Sequence, residues 1–493
     1  MSFTILPKRL SFFSLSLLAI TAAGFLLRVL AARGELWLDE IWSLMLLEDL
    51  AAAHEIFWNI SHLNNHLLNS LWLWIAGPDA PSVWQRFASI ALGTATIPAA
   101  ALFIRRHAGD AGGLACALLF AVGHIFVHYG SEARGYGGLA LMIVLCADAT
   151  DRLMAAPKRR APAIRFALFA ALGCLFHYTM LLAIGVCGAG AALLVAANRA
   201  RWREHGQALL RLGVAALSGL LPAALCFFAA ASVKPFLTGE RTPFSYADLA
   251  EGLAGMARST LGLPAALPDP LMLLLAAPLA AGALALCPGR LRAPAIMALV
   301  ALPLLEIWFA LPNLHYARFH LPSACFLALA AGAGMGLLWT RGGWRRSLAL
   351  GLGAAGLLGH GALVGELLLY GRGDAAGAVA QMTQAGPALY DGDFPVETSW
   401  VVAYHLARSQ KKGLALAPRG AECEAPADWF IATNWRGSRP ALRDRETFGP
   451  AACPGAFARV AHYPGAQLSG LDWTLYRRLP FRDATLDGPL ISH

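Results

Sequence analysis

Apolar runs long enough to cross a membrane recur along the chain, separated by short polar breaks. They begin near Phe12, Trp84, Gly113, Gly135, Arg165, Met180, Leu209, Ala266, Ala293, Phe319 and Ser347. A hydrocarbon core about 30 Å thick takes about 20 such residues per helix, so the pattern predicts about eleven transmembrane helices. Only "FHYT" divides the long run from Arg165 to Ala197. Between the first two runs lies a long loop, roughly Arg33 to Val83. In it "IWSLMLLEDLAAAHEIFW" has helical apolar spacing, and "HLLNSLWLWIA" is apolar but too short to span. Two helices along the membrane surface are expected, with Trp58, Trp72 and Trp74 at headgroup level. Beyond Tyr370 the long runs stop. "ALYDGDF", "DWFIATNW" and "DWTLYRRL" read as short strands, and Ala375 to Thr383 as a helix. The expected organisation is a polytopic α-helical membrane domain over residues 1–369, containing the loop 33–83, and a small α/β or α+β domain over 370–493.

Composition agrees. Of the 493 residues 57% are hydrophobic and only 14% charged, and the mean hydropathy is +0.55. A soluble domain is nearer a quarter charged. The net charge of +9 does not point to nucleic acid, because no basic-aromatic stripe accompanies it. Its distribution has a membrane explanation. Lys8-Arg9, Arg105-Arg106, Lys158-Arg159-Arg160, Arg199-Arg201-Arg203, Arg290-Arg292 and Arg341 with Arg345-Arg346 fall in every second loop. The bias of Lys and Arg toward the cytoplasm puts all of these loops on that side. The opening "PKRL" and the stretch from Phe12 to Ala32 imitate a signal peptide. That stretch is too long for one and lacks a small-residue cleavage site, so a retained first span is expected. With an odd number of spans the N-terminus is cytoplasmic and the tail faces outward. Seven of the nine cysteines fall in expected spans, and the other two, Cys423 and Cys453, are in the tail. An oxidising compartment would permit them to pair.

The charge pattern gathers nearly every polar cluster outside the tail onto the outer face. "ELWLDEIWSL" sets Asp39 and Glu40 between Trp37 and Trp42. Charge held near lipid is costly, which argues for a use. A carboxylate in a partly dry site can accept a proton from a hydroxyl. Both acids also suit a helix N-terminus, a purely structural benefit. "SHLNNHLLN" offers His62, Asn64, Asn65, His66 and Asn69, donors suited to sugar hydroxyls or phosphate oxygens. "HIFVHYGSEARGYG" carries His124 and His128 on one helix face, then Glu132 and Arg134. Two histidines four apart can bind a metal, but no third ligand is fixed by spacing. Asp39, Glu132 and His128 are the candidate ligands of a divalent metal. Outer cations are few: Arg33, Arg86, Arg134, Lys234, Arg241, Arg258 and Arg318. The membrane bias works against them, and an anion such as phosphate would explain several. Arg28 and Glu306 lie within expected spans and are expensive there unless paired.

Taken in order, "LWLDE", "HLNNHLLNSLWLWIAG", "WQRFASIALGTATIPAAALFIRR", "HYGSEARGYGGLAL", "LFHYTMLLA" and "HYARFHLPSACFLALAAG" resemble the GT-C glycosyltransferases over roughly Gly34 to Gly334. The likeness is to the bacterial branch of protein O-mannosyltransferases and the lipid A aminoarabinose transferase. The resemblance implies a GT-C fold at a bacterial inner membrane with a periplasmic tail. It implies inverting transfer of a sugar from a polyprenyl-phosphate carrier to an acceptor hydroxyl of a lipid, glycan or protein. It makes Asp39 the catalytic base and Glu40 the second acid of that motif. It puts Asn65, His66, Arg134, Lys234, Arg241 and Arg318 at the donor phosphate, with His62, Glu132, His177, Tyr178, His315 and Tyr316 as further site candidates. Both prolines of the family's donor-site segment are missing, and Asn65 stands where one branch has a phosphate-binding lysine. His66 or an outer arginine then carries the phosphate contact. No cofactor is required, although some relatives bind a divalent metal. Membrane lipids are expected partners and nucleic acid is not. A transporter or flippase for a lipid-linked or anionic substrate is the alternative. It would favour internal repeats and mid-membrane polar groups, whereas here the polar groups collect at one face.

Overall fold

Long apolar stretches can satisfy their backbone in lipid only as helices, and helices dominate the chain. The computed structural model describes residues 11–235, 242–384, 386–393, 395–409, 413–434, 443–466 and 468–480. Lys8, Arg9 and Arg241 lie outside them. The helices are α1 (Phe12–Ala31), α2 (Leu38–Glu48), α3 (Leu67–Ala76), α4 (Ser82–Gln85), α5 (Phe87–Val122), α6 (His124–Tyr129), α7 (Tyr136–Ala155), α8 (Ala161–Phe176), α9 (Met180–Ala197), α10 (Trp202–Val233), α11 (Tyr246–Leu261), α12 (Asp269–Leu286), α13 (Gly289–Ile296), α14 (Leu302–Trp308), α15 (Leu321–Arg341), α16 (Gly343–Tyr370), α17 (Ala375–Gln384) and α18 (Pro395–Ser409). The strands are β1 (Ala388–Gly392), β2 (Leu414–Leu416), β3 (Trp429–Asn434), β4 (Arg445–Phe448), β5 (Gly455–Tyr463) and β6 (Asp472–Arg478).

The chain is a multi-pass membrane protein. Among the described residues, eight helices are long and apolar enough to cross a membrane, against the eleven expected. Three places account for the difference. Helix α5 counts once but is broken at Ala108–Gly109, where Gly109 has φ +67°. Helix α7 carries Asp148, Asp151 and Arg152 toward its end. Helix α8 has only 16 residues. The ten residues of α3 rise about 15 Å, half a hydrocarbon core, which agrees with a helix that does not cross.

Contacts divide the chain into two units, one of residues 1–32 and 43–365, the other of 33–42 and 366–493. In the first, α15 is the central helix: 83% of its apolar window is buried, against 11% for α12. Small residues permit its seam with α5. A Cβ on Gly336 would meet the Gly112 Cα at 2.4 Å, and one on Gly332 the Cys116 Cβ at 2.7 Å. Leu217, Phe228 and Leu274 point outward, 69–71% exposed, as lipid-facing residues do.

Arg28 and Glu306 are both partnered within this unit. Arg28, on α1, donates to the carbonyls of Gly24 at 2.9 Å and Phe120 at 2.8 Å. Phe120 lies in the last turn of α5, where a cation suits the helix dipole. Glu306 Oε1 is 3.5 Å from His320 Nδ1.

The second unit holds a mixed six-stranded sheet of order β2-β1-β3-β6-β5-β4. Strands β2, β1 and β3 run parallel, and β6, β5 and β4 continue antiparallel. Trp429, Ile431 and Thr433 alternate inward along β3. With α17 and α18 this is the small mixed domain expected of the tail. Cys423 and Cys453 form a disulfide, their Cα atoms 5.5 Å apart. Residues 33–42, from the first loop, belong to this unit, and the Trp42 ring lies 4.9 Å from that of Trp400 on α18.

Candidate functional site

The polar cluster of the first unit grows from three chain segments. The first is the turn before α3. Its amides hold the loop in shape: Asn65 Nδ2 donates to the Ile56 carbonyl at 2.9 Å, Asn69 Nδ2 to that of Ala133 at 2.7 Å, and Asn64 Nδ2 to Ser43 Oγ at 3.1 Å. His62 Nδ1 accepts from the Asn64 N–H at 2.9 Å. Two of the expected site residues, His62 and Asn65, are thus bonded within their own loop. Asn64, expected only as one of a run of amide donors, instead reaches out through its carbonyl oxygen.

The second segment is the start of α7. Arg134 donates to Asn64 Oδ1 at 2.7 Å, and the same nitrogen lies 3.2 Å from His66 Nε2. Its guanidinium carbon sits 4.9 Å from the centre of the Tyr136 ring. His66 Nδ1 is 3.1 Å from the Phe176 carbonyl at the end of α8. A carbonyl only accepts, so Nδ1 carries the proton and the Nε2 lone pair faces Arg134. Burial holds the His66 pKa well below its usual value, aided by the charges of His177, Arg134 and Arg318. His177, its ring 4.7 Å from that of His66, is pushed down to about 3 by burial, then by Arg134 and Arg318. Both imidazoles are neutral. Tight spacing around Gly135 explains the glycine there: a Cβ would meet the Phe176 carbonyl oxygen at 2.0 Å and His66 Nδ1 at 3.0 Å.

The third segment precedes α15. Arg318 stacks 4.0 Å over the Tyr316 ring and is 9% exposed. Its field reaches His66 and His177, which brings a second fixed cation to the cluster. Tyr129, also buried, lies 5.0 Å from Tyr136 and feels both arginines. Neither tyrosine was singled out from the sequence. The Arg-x-Tyr spacing of Arg134 and Tyr136 is the only signal that could have found one.

Other expected residues sit elsewhere. Glu132 Oε1 pairs with His128 Nε2 at 3.3 Å, both fully buried. Tyr178 contacts Phe227, with ring centres 6.1 Å apart. His315 stacks 3.8 Å from Tyr316, and burial lowers its pKa. Lys234 ends α10 in an exposed position. Two of the arginines expected on the outer face have structural partners: Arg86 donates to the Ala32 carbonyl at 2.7 Å, and Arg258 to Asp269 at 2.9 Å. Among the described residues no three His, Cys, Asp or Glu side chains are grouped to hold a metal.

The acids belong to the second unit. Glu40 is fully buried and its Oε2 accepts from the Trp37 N–H at 3.1 Å. Trp37 precedes the first residue of α2, so Glu40 supplies the reach-back half of a capping box. Asp39 is half-buried.

No protein-family model matches the sequence, and none of the curated proteins matches it. The fold is shared with ArnT from Cupriavidus metallidurans. Its crystal structure bound to undecaprenyl phosphate aligns with a TM-score of 0.54 and 14% identity over 97% of this chain and 99% of that one. The apo structure gives the same score and identity over 96% and 99%. The archaeal oligosaccharyltransferase AglB from Archaeoglobus fulgidus, in complex with an inhibitory peptide and a dolichol-phosphate, aligns at 0.47 with 11% identity over 86% of this chain and 70% of that one.

Proposed function

We propose that the protein is an inverting glycosyltransferase that takes a sugar from a polyprenyl-phosphate carrier at the periplasmic face of a bacterial inner membrane. In this reading the two arms of α5, together with α7 and α8, bring the crossings to eleven, with the N-terminus cytoplasmic and the tail periplasmic. The observation that carries it is Arg134 against the buried His66, with Arg318 close enough to act on the same imidazole, on a fold shared with a protein whose structure holds undecaprenyl phosphate. An anionic leaving group needs fixed, pre-oriented positive charge. Arginine supplies it at every pH of interest and offers a fork to phosphate oxygens. Asn64 holds the Arg134 fork in place. An apolar groove of about 1080 Å³, lined by Leu118, Leu279, Leu338 and Leu352 among others, suits a prenyl chain. His360 also lines that groove, and its Nδ1 accepts the His124 N–H at 3.3 Å.

Chemically, Asp39 accepts the proton of the acceptor hydroxyl. The oxygen attacks the anomeric carbon, the carbon–phosphate oxygen bond breaks, and polyprenyl phosphate leaves with its charge met by Arg134 and Arg318. The sugar inverts. No metal is required, because the arginines supply the charge. Glu40 supports the helix that carries Asp39.

The test is carrier release from a polyprenyl-phosphate sugar by purified protein. Asp39→Asn should lower turnover by a factor of about 10² or more with donor binding intact. Arg134→Gln and Arg318→Gln should each weaken donor binding and turnover together. Equal release by wild type and Asp39→Asn would remove Asp39 as the base, and loss of neither binding nor turnover in the arginine variants would remove the cluster as the phosphate site.

A further inference from the structure

A second basic site lies at the other end of α7. Tyr136 starts this helix beside the Arg134 cluster, and 20 residues later it ends at Ala155. At 1.5 Å per residue that is about 30 Å, one hydrocarbon core, so this end of α7 reaches the opposite membrane face.

There a cavity of about 380 Å³ is lined by Arg106, Arg152, Arg159, Arg165 and Arg290, with His107 and Asp151. The side chains come from five places in the chain. Arg106 and His107 precede the break in α5, Arg152 is on the last turns of α7, Arg165 is on the first turns of α8, and Arg290 begins α13. Arg159 comes from the loop between α7 and α8. That loop is pinned by Arg211 of α10, which donates to the Pro157 carbonyl.

Two aspartates organise the ring. Asp151, 7% exposed, holds Arg290 at 3.0 Å, His107 at 3.2 Å and Arg106 at 3.4 Å. Asp148 holds Arg152 at 2.7 Å and also pairs with Arg106. Counting arginines and aspartates alone, five against two leave about three positive charges around one cavity. Among the described residues Arg159 and Arg165 make no ion pair. The bias of basic residues toward one membrane face explains their presence in a loop. It does not gather five of them, from four helices and a loop, around one cavity. The flank next to Arg165 is apolar and outward-facing: Ile164 is 67% exposed and Leu168 54%.

We propose that this cavity binds the phosphate headgroup of an anionic phospholipid, whose acyl chain lies along Ile164 and Leu168. Basic pockets between transmembrane helices suit such headgroups. The apolar flank selects a lipid over a free anion of the same charge.

Native mass spectrometry of the full chain in neutral detergent, titrated with phosphatidylglycerol, reads the site directly. Arg159→Ala with Arg165→Ala should weaken retention roughly 30-fold, at about fivefold per arginine. Arg159→Lys with Arg165→Lys should keep most of it. A control pair on another basic segment, Arg345→Ala with Arg346→Ala, should stay within about twofold of wild type. Thermal midpoints check that all variants fold. Equal loss in both alanine pairs would make the effect one of overall charge and overturn the site. So would wild-type retention in the Arg159 and Arg165 pair, and displacement of the lipid by sub-millimolar inorganic phosphate would overturn the lipid assignment. Carrier release plays no part in this readout, so its outcome is independent of the proposed transferase activity.

Discussion

At the residue scale, the proposed mechanism gives the adjacent acids of the first loop different duties. Glu40 is buried and accepts the Trp37 N–H, so its carboxylate helps begin α2. Glu40→Ala should destabilise the protein by about 1 kcal/mol, as the loss of a helix cap does. Glu40→Gln keeps an oxygen for that bond and should retain most turnover, unlike Asp39→Asn. A collapse of turnover in Glu40→Gln at unchanged thermal midpoint would give Glu40 a chemical role instead. The histidines make a pH prediction. His66 and His177 are neutral when folded, with depressed pKa values, whereas unfolded imidazoles protonate near pH 6.5. Below that pH the unfolded chain binds more protons, so stability falls as pH drops from about 6.5 toward the His177 value of about 3. The slope is up to about 1.4 kcal/mol per pH unit for each histidine. The thermal midpoint should drop between pH 7 and pH 5, and His177→Asn should flatten the drop; an unchanged slope would mean that His177 is already protonated in the fold. His66, Arg134 and Arg318 stand out in the sequence as polar residues in the loops of an apolar chain, and the structure brings Arg134 against His66. Asn64 stands out only as one of a run of amides and Tyr136 not at all, since only the fold turns the Asn64 carbonyl toward Arg134 and lays Tyr136 beneath it.

At the scale of elements, helix placement follows from apolar runs, while helix packing follows from small residues that carry no hydropathy signal. The seam of α5 and α15 shows this. Gly336 faces Gly112 and Gly332 faces Cys116 with no room for a Cβ, the small-residue contact by which membrane helices approach closely. Arg318 stands in the turn that leads into α15. Gly336→Leu should therefore cost about 1–3 kcal/mol of stability by overpacking and should also weaken donor binding, because it shifts the helix that follows Arg318. Thermal melts with and without donor separate the two effects; unchanged melting would mean that the seam can open without strain. The strands β1, β3 and β6 were legible from their alternation. Strand β5 was not, because an irregularity between Arg459 and Ala461 interrupts its register. Nor was β4, a short edge strand of four residues with no buried position.

At the scale of the whole molecule, sequence order and physical grouping differ. The first loop reads as one segment of the membrane domain, yet residues 33–42 form one compact unit with the tail. Nothing local in the sequence signals this, since the pairing of Trp42 with Trp400 joins positions more than 350 residues apart. The consequence is that the tail supports the segment that carries Asp39. The ring pair at 4.9 Å is within the range of favourable aromatic contacts, worth about 0.5–1.5 kcal/mol beyond the area it buries. Trp400→Ala removes that support and leaves Arg134, Arg318 and His66 untouched. Turnover should fall about tenfold, with donor affinity unchanged, because the proposed base is less well held while the proposed phosphate site is intact. Trp400→Phe keeps an aromatic ring against Trp42 and should recover most of the loss. Measuring carrier release and donor binding side by side decides the matter. If donor affinity falls together with turnover, the tail acts on the phosphate site as well. If neither changes, the segment is held by its other contacts and the tail is dispensable to the base.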